Sequence, residues 1–356
     1  MVSTPRFSLV RGFLSEKIRV DSITEGHFFS LSCILYPHVR ATPNYTENPY
    51  FERFWPQHLY LNPSSPLIPT LHLPTNFSIE KTPLVTFRRV DLLLSQKELE
   101  DLHRKLYNPP SNFSLFSDEK FWSLSPKEYM PLFTSPTPEG NYGTLVASTA
   151  GHWTTTLLHG FRDESKANSG YGIDKVLDFF EQAMKVWAKE VQEALNQDQR
   201  NGSKGVNGTR RVVVRSYLPG HEDCRKIYKP WKKWKPYVWN WYNWPWIKDF
   251  NQILQVCPFF QESRVTYTNA ETIESAIFVF VPRYTFPDNG QPGIVTTRRG
   301  NSPCPCPCSW CSLLIAIHLQ HVTGDCLHIM TGPGIMEGWS HYIWHFVTRE
   351  LRSRIR

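Results

Sequence analysis

Residues 143–153, GTLVASTAGHW, open the part of the chain whose pattern decides the fold. Residues 144–148 are typical of a buried strand, which ends in the turn AGHW. Apolar positions at helical spacing follow from Ile173 to Leu195 and predict one long amphipathic helix. A second buried strand, RVVVRS, occupies 211–216. This strand–helix–strand order predicts a βαβ unit, and therefore an α/β fold with a mostly parallel sheet covered on both faces.

Shorter patterns flank this unit on both sides. Residues 17–36 are predicted to form a strand, a turn and a helix, in that order. The pattern also predicts a helix over 92–107, a strand over 276–281 and a helix from 335 onward. Between these elements the composition turns to Pro, Ser and Asn, which predicts irregular insertions. The insertions are expected at about 37–83, 108–140 and 264–320. By its length the chain could hold one large α/β domain or two smaller ones.

Composition restricts the class of protein more than its activity. The chain of 356 residues is 40% hydrophobic, which indicates a globular protein, and its net charge of +7 is too modest to select a nucleic-acid partner. No apolar run is long enough for a transmembrane helix, and the first 20 residues make a poor signal peptide. Five glycosylation sequons mildly favour a lumenal setting. They begin at Asn44, Asn76, Asn112, Asn201 and Asn207.

Reactive side chains cluster where strands of such a sheet would end. Near the carboxyl terminus, Asp325 precedes His328 by three positions in a glycine-flanked turn. A carboxylate that orients an imidazole is what a serine nucleophile needs to lose its proton. The candidate serine is Ser22, which directly follows the first predicted strand.

Four blocks, taken in order, resemble the SGNH-type PC-esterase family. That family contains the plant trichome-birefringence-like polysaccharide O-acetyltransferases and their fungal relatives. The blocks are VDSITEGHFFSLSCIL at 20–35, TAGHWT at 149–154, RSYLPGH at 215–221, and DCLH at 325–328 with Pro333, Gly334 and Trp339. Their order and spacing hold across nearly the whole chain, and the last block is the most specific of them.

The resemblance implies a single three-layer α/β/α SGNH-hydrolase-like domain over 1–356, with a serine acyl site. Ser22 would be the nucleophile, His328 the base and Asp325 the residue that orients it. Five further residues would form the oxyanion hole or line the cleft, namely Thr149, Gly151, His152, Arg215 and His221. For both histidines and for Arg215, a purely structural role is the competing interpretation. No bound cofactor is implied; an acetyl donor such as acetyl-CoA would be a co-substrate, and a glycan hydroxyl would be the acceptor.

Two departures from the family pattern keep a second hypothesis open. Val20 stands where the family has a glycine before Asp-Ser, and Thr149 stands where it has an asparagine. The alternative is a catalytically impaired carbohydrate-binding relative that uses the tryptophan-rich segment 231–246. Trp153, Trp239 and Trp241 are the candidate sugar contacts, with core packing as the competing explanation.

Nucleic acid and metal are both disfavoured as ligands. The tryptophan-rich segment carries basic residues, yet sugar contact or core packing explains it better than base stacking. Cys304, Cys306, Cys308 and Cys311 lack the paired spacing of a zinc site, so we expect no metal. Members of the family are anchored in the membrane of the secretory pathway, which implies the Golgi, although no anchor is evident in this chain.

Overall fold

Seven strands form one sheet in the computed structural model, which describes residues 16–19, 22–42, 56–202, 210–217, 219, 243–256, 276–280 and 335–345. The strands are β1 (Glu16–Arg19), β2 (Val39–Thr42), β3 (Gln57–Leu61), β4 (Pro83–Arg88), β5 (Thr144–Ala147), β6 (Arg211–Arg215) and β7 (Ala276–Phe280). Their order in the sheet is β2-β3-β4-β1-β5-β6-β7.

The five strands from β4 to β7 in the sheet run parallel, and β2 and β3 add an antiparallel edge beside β4. Numbered along the chain, the parallel strands occupy the order 2-1-3-4-5, which is common among doubly wound sheets. In that order the topology reverses between β1 and β5. Sheets of this kind bind ligands at the carboxyl ends of the two strands beside this switch point.

Six α-helices in the described ranges connect and cover the strands. They are α1 (Ser22–Leu35), α2 (Gln96–Tyr107), α3 (Pro126–Thr134), α4 (Ile173–Arg200), α5 (Ile247–Val256) and α6 (Ile335–His345). The buried stripe of α4 recurs at helical spacing, and it includes Val176, Phe180, Met184 and Trp187. In the part of the chain that the structure describes, every helix is too short or too polar to cross a lipid bilayer.

Successive residues of the central strands lie against different helices. Val146 and Val213 form a buried cluster with Ile343 of α6. Leu145 and Val212, one position earlier in the same strands, belong to the core that contains the buried stripe of α4. Because side chains alternate along a strand, helices pack on both faces of the sheet at this point. The α/β class and the mostly parallel sheet predicted from the sequence are confirmed.

Two of the expected irregular insertions contain regular elements, so that part of the prediction was wrong. The insertion at 37–83 includes β2 and β3, and β3 alternates buried and half-buried residues beside β4. The insertion at 108–140 includes α3, which begins after Ser125, whose side chain accepts the main-chain N–H of Lys127. Strands of four or five residues are specified mainly by the strands they pair with, so their own sequence carries a weak signal.

Helix α2 begins later than its sequence pattern predicts. The predicted start was residue 92, but Ser95 caps the helix and Glu98 completes a capping box with it. The predicted insertion at 264–320 lies outside the described residues except for β7, a strand that the sequence did predict.

Candidate active site

The candidate site lies at the carboxyl edge of the sheet, beside the switch point. Helix α1 begins at Ser22, three positions after β1 ends at Arg19. The segment 148–153 follows β5, the strand next to β1, and 216–217 follows β6. Three of the four sequence blocks therefore converge on neighbouring strand ends.

Asp91 is the most firmly held charged residue at this edge. It lies three residues beyond β4, and its side chain is fully buried. Its Oδ1 accepts a hydrogen bond of 3.2 Å from Nε of Arg89, and its Oδ2 accepts one of 3.0 Å from the main-chain N–H of Trp122. The Arg89 guanidinium stacks on the Trp122 ring, 3.9 Å from its centroid. The cost of burying the Asp91 carboxylate is therefore offset by the charge of Arg89 and by the main-chain N–H of Trp122.

His152 is the point at which this buried cluster reaches the surface. Its Nε2 lies 3.3 Å from Oδ1 of Asp91, and 21% of its side chain is exposed. The carboxylate is therefore inside the protein, while part of the imidazole ring is available to a ligand.

The turn that carries His152 is fixed by neighbours on several elements. Thr149 Oγ1 donates a 2.9 Å hydrogen bond to the main-chain carbonyl of Asp91 and accepts one of 3.0 Å from Nε1 of Trp153. Asn243 Nδ2 donates to the carbonyls of Ala150, at 2.7 Å, and Trp153, at 3.2 Å. A threonine hydroxyl has one hydrogen, so Thr149 can donate to an oxyanion only if it gives up its bond to Asp91.

Gly151 allows the second and third sequence blocks to pack closely. A Cβ atom at this position would overlap the hydroxyl and ring of Tyr217. Tyr217 is itself buried, and Asn251 of α5 holds its main chain through reciprocal hydrogen bonds of 2.8 and 2.9 Å. Only a residue without a side chain fits between these groups.

Arg215 is the last residue of β6, and its side chain contacts both α1 and α6. It is 1% exposed, and its Nη2 donates a 2.8 Å hydrogen bond to Oγ1 of Thr24, two residues after Ser22. Its guanidinium lies 4.4 Å from the ring centroid of Trp339 in α6. This placement gives Arg215 a role in holding α1 at the strand end, and it leaves little surface for a substrate anion.

His27 lies in the same contact between α1 and α6. Its Nε2 is 2.9 Å from Oγ of Ser340, and its ring meets the Trp339 ring edge-on at 5.8 Å between centroids. Burial lowers the pKa of His27 to about 3, and the positive charge of Arg215 acts in the same direction. In the folded protein the His27 imidazole is therefore neutral.

A buried neutral histidine makes stability depend on pH. The unfolded chain takes up the proton below about pH 6.5 while the folded protein does not, so stability is complete above that value and falls as the pH decreases towards 3. Between pH 7 and pH 5 we expect the free energy of unfolding to fall by about 2 kcal/mol more in the wild type than in a His27→Gln variant. Urea unfolding at both pH values measures this difference, and parallel pH curves would contradict it.

The structure describes only some of the residues that the sequence singled out. Asp325, His328, His221, Trp239 and Trp241 lie outside the described residues, and for Ser22 only the backbone is described. Thr149 and His152 come together at Asp91, and Gly151 contacts the third block. Trp153 is fully buried and packs edge-on against Phe180, with 4.9 Å between centroids, so it has no open face for the sugar stacking suggested by the sequence.

Sequence reasoning missed Asp91 and Arg89. A signal was present, because Arg89 directly follows PLVTFR at 83–88, a run with the apolar content of a strand, and Asp91 comes two positions later. Recognising β4 would have placed a carboxylate and a guanidinium at the same sheet edge as Ser22 and His152.

The described residues include no group of His, Cys, Asp and Glu side chains suited to hold a metal ion. Comparison of the sequence with protein-family models and with curated proteins finds no significant match.

Proposed function

We propose that this protein is a serine-dependent carbohydrate O-acetyltransferase or O-acetylesterase with a three-layer SGNH-like fold. One observation carries the proposal: α1 begins at Ser22, directly after β1, and the Gly151 turn follows the adjacent strand β5 at the switch point. A nucleophile at a helix start beside a second strand end is a suitable arrangement for acyl transfer.

In the first half-reaction, Ser22 Oγ attacks the carbonyl carbon of the acetyl donor, and His328 takes the serine proton. Asp325 orients that imidazole and stabilises its charged form. The proton then passes from His328 to the leaving group of the donor, and the acetyl group remains on Ser22 as an ester. The donor would be an activated acetyl compound such as acetyl-CoA.

The negative charge that develops on the carbonyl oxygen needs hydrogen-bond donors. Main-chain N–H groups supply them best in this chain, at the start of α1 and at the Gly151 turn. Main-chain donors matter here because the Thr149 hydroxyl already donates to Asp91. Asn243 binds the turn and Tyr217 packs against it, and these contacts hold the N–H groups of the turn in place.

In the second half-reaction, a hydroxyl oxygen attacks the acetyl-serine carbonyl, and His328 transfers the hydroxyl proton to Ser22 Oγ as the ester bond breaks. A sugar hydroxyl gives the transferase outcome, and water gives the esterase outcome. By the same resemblance, the proposed setting is the lumen of the secretory pathway, where glycan acceptors occur.

A fluorophosphonate probe tests this proposal, because it reacts covalently with activated serines. We expect the wild-type protein to be labelled and the Ser22→Ala variant to lose the label. Ser32→Ala is the matched control: Ser32 lies in the same helix, where its hydroxyl donates to the Phe29 carbonyl at 2.7 Å, and this variant should be labelled as the wild type is.

Two results would reject the proposal. Equal labelling of the wild type and Ser22→Ala would show that another serine reacts. Absence of labelling in the wild type would favour the impaired carbohydrate-binding relative, for which the engaged hydroxyl of Thr149 is the supporting observation.

A further inference from the structure

A cleft of about 290 Å³ opens beside the first turns of α4. Small-molecule sites typically have a largely apolar wall and a few polar groups that orient the ligand. The lining of this cleft combines the two kinds of side chain, namely Ile173, Leu177, Trp246, Lys166, Ser169 and Asp174. Sites for drug-sized ligands occupy about 300–1,000 Å³, so a cleft at the lower end of this range suits one sugar ring better than a coenzyme.

Trp246 forms the aromatic wall of the cleft. It is the last residue of the tryptophan-rich segment 231–246, at the end of the short helical turn Trp244–Trp246 that leads into α5. One edge of its ring packs against Gly170, where a Cβ atom would overlap Cη2 and Cζ2 of the indole. The side chain is only partly buried, so its position is fixed while part of its surface lines the cleft.

The charged groups of the cleft favour a neutral ligand. Lys166 Nζ donates a 3.3 Å hydrogen bond to Oδ2 of Asp174, and the two opposite charges balance each other. An ammonium has three N–H donors and a carboxylate can accept several hydrogen bonds, so each group keeps capacity for a ligand. A sugar hydroxyl both donates and accepts, and therefore matches such a pair better than a phosphate or a carboxylate does.

The cleft lies at the carboxyl edge of the sheet, where the candidate active site also lies. Near the far end of α4, Asp198 pairs with Arg210 at the start of β6, so α4 begins at the opposite edge. The main-chain N–H of Trp246 donates to the carbonyl of Asn243 at 3.0 Å, and the Asn243 side chain binds the carbonyl of Ala150 in the turn after β5. Trp246 is thus connected directly to the turn of the candidate active site.

We infer that this cleft binds a neutral sugar ring that stacks on Trp246 and forms hydrogen bonds with Lys166 and Asp174. The C–H face of a sugar ring is apolar, as is the face of an indole, while the hydroxyls at the rim of the sugar can reach the polar pair. The inference rests on the proposed function and deepens it. The cleft is a subsite for the glycan acceptor, separate from the residues that form acetyl-serine.

Saturation-transfer difference NMR tests this inference with a mixture of the methyl glycosides of glucose, galactose, mannose and xylose. We expect the wild-type protein to transfer magnetisation to at least one of the four, and titration of that glycoside gives its Kd. In Trp246→Ala we expect the Kd to rise about tenfold, because the stacking face is lost. Trp246→Phe keeps an aromatic face and should bind more tightly than Trp246→Ala.

Substitutions at exposed positions separate binding from folding. Asp174→Ala should raise the Kd of the same glycoside about threefold, the effect of losing one hydrogen bond. Asp178→Ala is its matched control, because Asp178 is exposed one turn later in α4 and does not line the cleft. Tyr107→Ala is the aromatic control, since Tyr107 is a 45% exposed ring of α2. Both controls should bind the glycoside as the wild type does.

Fluorophosphonate labelling, measured on the same samples, distinguishes this inference from the proposed function. If a labelled wild type binds none of the four glycosides, or if Trp246→Ala and Asp174→Ala bind as well as the wild type, the sugar cleft is overturned and the proposed function stands. Equal weakening in the two controls also overturns the cleft. If the wild type binds a glycoside through Trp246 but is not labelled, the proposed function is rejected, and the cleft remains as the site of a carbohydrate-binding relative.

Discussion

The Asp91→Asn variant is expected to unfold with a free energy about 3 kcal/mol below that of the wild type. The substitution keeps the shape of the side chain but removes its charge, so the buried Arg89 guanidinium loses its carboxylate partner. An amide also has only one acceptor oxygen, whereas Arg89 and the Trp122 N–H each need one here. Breaking a buried ion pair from one side is costly because the remaining charge has no water to replace its partner.

Chemical denaturation measures this loss, and Asp101→Asn provides the matched control. Asp101 pairs with Lys97 and Arg104 on the exposed face of α2, where solvent screens the charges. We expect no measurable change in that variant. Equal stability of Asp91→Asn and the wild type would show that Asp91 is not part of a buried ion pair.

Gly151→Ala is expected to destabilise the protein by about 2 kcal/mol and to displace the turn that carries His152. The new methyl group would overlap Tyr217, whose ring is buried and whose main chain is bound by Asn251. Because the Tyr217 ring is buried and its main chain is held in place, we expect the turn to shift. We expect fluorophosphonate labelling to slow as well, because the Gly151 N–H is a proposed oxyanion donor.

Gly338→Ala controls for the effect of adding a methyl group. Gly338 is an exposed residue in α6, and a Cβ atom there meets no atom within 4 Å. Alanine is favoured over glycine inside a helix, so this variant should be as stable as the wild type or up to about 1 kcal/mol more stable. Thermal unfolding of both variants measures the difference. Similar behaviour of the two glycine variants would contradict the close contact between Gly151 and Tyr217.

Long periodic elements could be predicted from the sequence because their signal is local. The apolar positions of α4 recur from Ile173 to Leu195, and the predicted strands at 144–148 and 211–216 match β5 and β6 closely. The strand and the helix predicted over 17–36 are also present, as β1 and α1. These elements specify the parallel sheet and place Ser22 at its carboxyl edge.

Contacts between distant segments could not be predicted in the same way. Thr149 donates to a carbonyl 58 positions away, and Arg215 binds a hydroxyl 191 positions away. Such partners are decided by which strands become neighbours in the sheet, and β4 was not recognised in the sequence. Asp91, and its contact with His152, followed only from the assembled sheet.

The central claim, an acetyl-serine at position 22, is tested most directly by finding the acetyl group. The protein is mixed briefly with 4-nitrophenyl acetate, quenched in acid and digested, and its peptides are analysed by mass spectrometry. We predict one acetyl group on Ser22 in the wild type, greater accumulation when methyl glucoside is absent, and slower formation in His328→Gln. Acetylation confined to other residues, or equal acetylation of a denatured sample, would contradict the account.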